Sequence, residues 1–175
     1  MSESVKEHKD AARSSIGVGV LTVSDTRTLE TDTSGATIVQ FLNETGHEIH
    51  LRRIVPDEPD EILKFLDDAL ADRRISAVLV TGGTGISPRD RTAETLEGRF
   101  TRSIPGYGEL FRWLSYQEIG PACILSRATG GMVGQVVVLI MPGSRAAVKL
   151  AMEKIIVPEL PHLVREATKG GESAD

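Results

Sequence analysis

The residues best suited to chemistry lie in Thr81-Gly82-Gly83-Thr84-Gly85-Ile86-Ser87-Pro88-Arg89-Asp90. Gly82, Gly83 and Gly85 remove the side chains that would hold a ligand away from the backbone, and they permit positive φ. Amides freed in such a turn can point at an anion, and a following helix N-terminus adds a favourable dipole. Pro88 stiffens the exit, and Asp90 stands where its carboxylate could hold a cation beside that anion. One reading is a phosphate-and-metal loop at the C-terminal end of a sheet strand. The other is a glycine-rich turn with a solvent-facing aspartate.

The elements that must position this loop follow from the apolar patterning. Ile16 to Val23, His47 to Val55 and Ala77 to Val80 read as strands, the first and third apolar enough to be covered on both faces. Between them, Asp32-Thr33-Ser34-Gly35 supplies capping oxygens for a helix of about ten residues, striped by Ile38, Phe41 and Leu42 and ended by Gly46. A second helix opens at Pro59 with Ile62, Leu63, Phe65 and Leu66 on its apolar face. Beyond the glycine loop the pattern predicts a short helix over Thr92 to Glu97, an irregular stretch from Arg99 to Gly108 and a helix over Glu109 to Glu118. Ala122 to Ala128 and Gln135 to Met141 read as an antiparallel strand pair turning through Thr129 to Gly134. Helices over Ala146 to Ile156 and from Pro158 to Ala167 complete the chain. Residues 1–14 read as a flexible arm, 15–168 as one domain and 169–175 as a disordered tail.

Alternation of strands and helices predicts an α/β fold: a three-layer α/β/α domain whose sheet is mainly parallel, with one antiparallel strand pair. In such sheets ligands bind outside the carboxyl ends of the strands. Ser24-Asp25, Asp57, Gly82 to Asp90 and Pro142-Gly143-Ser144 each follow a predicted strand, so these four loops share one edge. Asp57 has a bland alternative as a capping residue. Gly17-Val18-Gly19 is a poor dinucleotide fingerprint, because its glycines lie inside the strand.

Composition narrows the classes. The 175 residues allow one substantial core, with 40% hydrophobic and 26% charged residues. A formal charge of −5 argues against nucleic-acid or membrane-surface partners. The lone Cys123 precludes an internal disulfide and reads as a core filler. No apolar run reaches about 18 residues and the N-terminus is polar, so a cytoplasmic location is expected. His8, His47, His50 and His162 fall outside the candidate edge, which disfavours a Ser-His nucleophile; His47 and His50 read as surface residues. Trp113 reads as packing, at a subunit contact for instance.

Asp57 and Asp90 would suit Mg²⁺, which takes few protein ligands and keeps several waters. The glycine amides would hold phosphates while the metal neutralises charge between attacking and leaving oxygens. From the residues alone this is a metal-dependent enzyme of nucleotidyl or phosphoryl transfer.

Leu21-Thr22-Val23-Ser24-Asp25, Asp32-Thr33-Ser34-Gly35, Pro56-Asp57-Glu58, the glycine loop, Leu125-Ser126-Arg127 and Met141-Pro142-Gly143-Ser144 occur in this order. Together they resemble the MoaB/MogA family of molybdenum-cofactor biosynthesis, to which domains of gephyrin and plant molybdenum insertases are related. The similarity runs from about Ile16 to Val164, and Phe111 to Gly120 pulls it towards the MoaB branch. The resemblance implies homotrimers or hexamers and adenylylation of molybdopterin by MgATP, giving adenylylated molybdopterin and pyrophosphate. A downstream molybdenum insertase would take the product. It implies catalytic, Mg²⁺-binding roles for Asp57 and Asp90, and phosphate binding by Gly82, Gly83, Thr84 and Gly85. Pro142, Gly143 and Ser144 would border the nucleotide, Ser115 would place the pterin phosphate, and Ser24 and Asp25 would join the site. Arg127 would be a counter-charge. Ala93, where active relatives often carry proline, and Ser144, where several carry asparagine, are departures that bear on nucleotide affinity. The alternative is a non-catalytic molybdopterin-binding or carrier protein.

Overall fold

Strands that are apolar on both faces need cover on both sides, and alternation along them assigns each residue to one cover or the other. The computed structural model describes residues 15–169. The expected arm over 1–14 and the tail beyond Lys169 lie outside the described residues. The strands are β1 (Gly17–Val23), β2 (Glu48–Val55), β3 (Ala77–Thr81), β4 (Arg102–Ser103), β5 (Thr129–Val133) and β6 (Val136–Met141). The helices are α1 (Thr33–Glu44), α2 (Pro59–Ala71), α3 (Thr92–Glu97), α4 (Pro105–Ile119), α5 (Arg145–Ala151) and α6 (Val157–Thr168).

The strands form one 6-stranded sheet in the order β2-β1-β3-β6-β5-β4. β2, β1, β3 and β6 are parallel, and β5 runs against both β6 and β4. Val18, Val20, Leu79, Leu139 and Met141 pack with Ile38 and Leu42 of α1, Phe111 of α4 and Val148 of α5. The alternate positions Leu21, Val78, Val80, Val138 and Ile140 pack with Ile62, Phe65 and Leu66 of α2 and Leu96 of α3. Each such side chain, fully buried, contributes about 1.5–3 kcal/mol. The expected α/β/α architecture is thus present.

Local expectations fail where glycine serves close packing instead of turning. Thr129 to Val133 is itself a strand, although Gly130 and Gly131 made it read as a turn. A Cβ on Gly131 would lie 2.3 Å from Phe100 Cδ2, and one on Gly130 2.8 Å from Leu139 Cδ2. The hairpin turn is Gly134-Gln135, where Gly134 alone has positive φ (60°), as the first central position of a type II′ turn requires. Ala122 to Leu125, read as the first part of a strand, lie instead in a 3₁₀ helix, Gly120–Leu125, that opens with Gly120 at φ 62°. Helix α4 begins at Pro105 and not Glu109, because Gly108 is needed inside it: a Cβ there would lie 2.3 Å from Ala128 O. A π-helical segment, Met152–Ile156, joins α5 and α6 into one continuous run, with Pro158 in the first turn of α6.

His47 is buried and not on the surface. It sits just before β2, and its Nδ1 accepts a 3.3 Å hydrogen bond from Ile16 N–H. Burial lowers its pKa from the ordinary 6.5, because the cation would lose its hydration. The folded state therefore keeps the imidazole neutral where the unfolded chain takes up a proton, so stability falls as pH drops below about 6.5 and on through the lowered folded value. Urea midpoints measured between pH 7.5 and pH 5 should fall more steeply for the native chain than for His47→Gln. Parallel curves for the two proteins would contradict this account.

Candidate functional site

The chain leaves β1 into α1 on one face of the sheet and leaves β3 towards α3 on the other. The carboxyl ends of these two neighbouring strands therefore diverge, which is the crevice where open α/β sheets bind ligands. A cleft of about 510 Å³ opens there. Its wall includes Ser24 after β1, Gly82 to Gly85 and Asp90 after β3, Pro142 to Ser144 after β6, and Ser115 from α4.

Backbone meets backbone at the root of the cleft. Gly82 (φ 102°) and Gly83 (φ 61°) both take left-handed conformations. A Cβ on Gly82 would lie 2.1 Å from Val23 O, and one on Gly143 3.2 Å from Gly82 Cα. Three bonds lock the loops: Gly82 N–H to Met141 O at 3.2 Å, Thr81 Oγ1 to Pro142 O at 3.1 Å and Ser34 Oγ to Gly143 O at 2.7 Å. By contrast, the amides of Gly83, Thr84 and Gly85 donate to no group among the described residues. Consecutive unbonded amides at the wall of a cleft are an anion-binding feature. The helical run beginning at α5 and helix α1 also start at this cleft, capped by Ser144 Oγ (3.2 Å from Ala147 N) and Asp32 Oδ1 (2.8 Å from Gly35 N).

The two candidate acids stand on either side of the loop. Asp90 lines the cleft, and a Cβ on Gly85 would lie 2.7 Å from its Oδ2. Asp57 is buried behind the loop, where Oδ2 accepts from Arg91 N–H (3.1 Å) and Oδ1 from Thr92 Oγ1 (3.4 Å). Capping is thus part of its role, although it caps the start of α3 and not the helix nearest in sequence. Burial raises the Asp57 pKa, hydrogen bonds from Arg91 and Thr92 oppose this, and the Asp90 charge adds to the rise. A divalent cation would relieve both penalties. Among the described residues no group of three or more His, Cys, Asp or Glu is placed to hold a metal ion. The hard oxygens of Asp57 and Asp90 fit Mg²⁺ only in company with phosphate oxygens and water, the set that ion prefers.

Other expected residues divide. Ser24 Oγ accepts from Thr26 N–H and Arg27 N–H, shaping the loop after β1. Asp25 lies outside the cleft and pairs with Arg89 at 2.9 Å; the Arg89 hydrogen bond lowers its pKa. Arg89 also pairs with Glu58, so one guanidinium straps the loops after β1, β2 and β3. Ser115 is buried and reaches the cleft wall. Arg127 is not free as a counter-charge: it donates to Thr84 O (3.2 Å) and Asp90 O (2.8 Å) and pairs with Glu94. Sequence reasoning missed Arg27 and the second role of Asp32. Asp32 caps α1, but it also accepts from Thr22 Oγ1 (2.9 Å) and pairs with Arg52 (3.2 Å) at the cleft floor.

Residues 19–162 match the sequence model of a family described as "Probable molybdopterin binding domain". A molybdenum cofactor biosynthesis protein B from Bacillus subtilis (strain 168) is 50% identical over 167 residues, 95% of this chain and 98% of that protein. The chain belongs to the MoaB/MogA family. A crystal structure of a molybdenum cofactor biosynthesis protein B shares 43% identity with a TM-score of 0.86, over 89% of this chain and 97% of that one. The tungsten cofactor synthesizing protein MoaB from Pyrococcus furiosus shares 39% with a TM-score of 0.80, over 87% and 97%. The role of this MoaB/MogA member lies in molybdenum cofactor biosynthesis.

Gly83 tests how tightly the loop and the acid are coupled. A Cβ there would lie 2.0 Å from Thr92 Oγ1 and 2.2 Å from Asp57 Oδ2 at positive φ. Gly83→Ala should cost about 1–3 kcal/mol in chemical denaturation and displace Asp57. An unchanged denaturation midpoint would contradict the observed packing.

Proposed function

We propose that this protein is a Mg²⁺-dependent molybdopterin adenylyltransferase. The observation that carries the reading is the row of amides at Gly83, Thr84 and Gly85, unbonded among the described residues, in a cleft that is also lined by the adjoining backbone loop at Gly143. Such a wall suits phosphate chains better than neutral ligands. The terminal phosphate oxygen of molybdopterin attacks the α-phosphorus of ATP; that P–O bond forms as the bond to the β-phosphate breaks, and pyrophosphate leaves. No covalent enzyme intermediate is needed, so the chain's task is to position and neutralise.

In this reading the amides of Gly83 to Gly85 hold the nucleotide phosphates, and the Pro142-Gly143-Ser144 loop borders the nucleotide. Ser115 offers its hydroxyl to the pterin phosphate. Ser24 shapes the loop after β1, while Asp25 holds Arg89 and through it the strap over the acids. Asp57 and Asp90 would hold Mg²⁺, which when bound neutralises charge between the attacking and leaving oxygens. A homotrimer or hexamer is the expected assembly, supported by the exposed apolar residues Leu110, Trp113 and Ile119 along α4; sedimentation as a monomer would contradict it.

A second reading, a molybdopterin carrier without turnover, is favoured by one feature: both Asp57 oxygens already bind groups of the chain. Pyrophosphate release from ATP decides between them. It should require molybdopterin and Mg²⁺ together, and Asp90→Ala should lower it by on the order of 100-fold or more while leaving molybdopterin binding intact. Tight molybdopterin binding without any pyrophosphate release would establish the carrier.

A further inference from the structure

The cationic side chains around the cleft differ in what they already hold. Arg52 pairs with Asp32, Arg89 with Asp25 and Glu58, and Arg127 with Glu94 and two loop carbonyls. Each of these charges is matched within the chain. Arg27 is different. It is the cationic residue in the cleft lining, and among the described residues its guanidinium meets no carboxylate. Among the described residues its guanidinium makes one hydrogen bond, from Nη1 to Thr31 O at 2.9 Å, a neutral partner that orients the group without neutralising it. Its backbone is fixed as well, since Arg27 N–H donates to Ser24 Oγ at 3.2 Å.

Position adds to this. Arg27 lines both the cleft and the neighbouring groove bordered by Arg52 and Arg53, so it stands at the mouth between them. A guanidinium has five N–H donors in a fixed fork, and one bond to a carbonyl leaves most of that fork available for a phosphate. The same cleft is lined by Gly83 to Gly85, whose amides are unbonded among the described residues. A phosphate-bearing ligand would thus find neutral amide donors and the Arg27 cation in one lining, which also holds the carboxylates of Asp32 and Asp90.

We propose that Arg27 is the phosphate-binding cation of the cleft, whereas the resemblance implied a counter-charge at Arg127. The inference deepens the adenylyltransferase reading and rests on its ligand class, a phosphate ester, but not on turnover. Two sources share that chemistry: the triphosphate of ATP and the terminal phosphomonoester of molybdopterin.

Calorimetric titration distinguishes them, using α,β-methylene-ATP with Mg²⁺ in one arm and molybdopterin in the other. The native chain, Arg27→Gln, Arg27→Lys and the remote Arg73→Gln would be compared. Arg27→Gln should weaken one arm by about tenfold or more, as expected for a hydrogen-bonded charge, with Arg27→Lys intermediate and Arg73→Gln unchanged. The weakened arm names the phosphate that Arg27 holds. Arms within twofold of the native chain for Arg27→Gln would overturn the proposal. Equal losses in Arg27→Gln and Arg27→Lys would also overturn it, assigning the effect to the lost Thr31 bond. A native chain that releases no pyrophosphate, yet loses phosphate affinity in Arg27→Gln but less in Arg27→Lys, would sink the transferase and leave this inference standing.

Discussion

The close approach of three backbones at Val23, Gly82 and Gly143 is the constraint on which the site depends. Strands β1, β3 and β6 lie side by side and parallel, so their carboxyl ends emerge at one edge within a strand spacing of each other. Only a residue without Cβ can turn at Gly82, because Val23 O occupies the place a side chain would take. Once that turn is made, the loop is pinned at its root by Met141 O and Pro142 O, leaving the amides beyond the root without partners among the described residues. Tight packing at the base and unmet hydrogen bonding above it are two sides of one arrangement.

The same arrangement explains why Asp57 is buried. Gly83 leaves room for its carboxylate behind the loop, and the first turn of α3 supplies the donors that make burial tolerable. The acid therefore ties together the loop after β2, the glycine loop and α3. Arg89 makes a comparable connection at the surface through Asp25 and Glu58, where solvent screening weakens the pairs. Arg127 closes the far side of the loop through Thr84 O and Asp90 O. Charge around the cleft is thereby largely matched within the chain, which is what makes Arg27 distinctive.

Much of the fold was legible because continuous apolar runs and capped amphipathic stretches carry strong local signals. Ile38 and Leu42 announced α1, and Ala77 to Val80 announced the central strand. The edge on which the candidate loops gather followed from parallel topology alone. What escaped was set by contacts distant in sequence. Gly130 and Gly131 look like turn residues until Phe100 and Leu139 are seen against them, and Gly108 looks like a helix breaker until Ala128 O is seen beside it. His47 reads as polar and exposed because nothing local reveals that Ile16 N–H needs its nitrogen. Arg27 and Arg127 are both arginines in loops. Only the pairing of their neighbours separates the structural cation from the available one.

The central claim is that unbonded amides at the carboxyl edge of β3 receive phosphate. The most direct measurement is a backbone amide NMR titration with α,β-methylene-ATP and Mg²⁺, following Gly83, Thr84 and Gly85 against the rest of the chain. The account predicts saturable shifts and slowed hydrogen exchange at these three amides, larger than in α2 or at the opposite edge of the sheet. Binding that leaves all three unperturbed would contradict it and place the phosphates elsewhere.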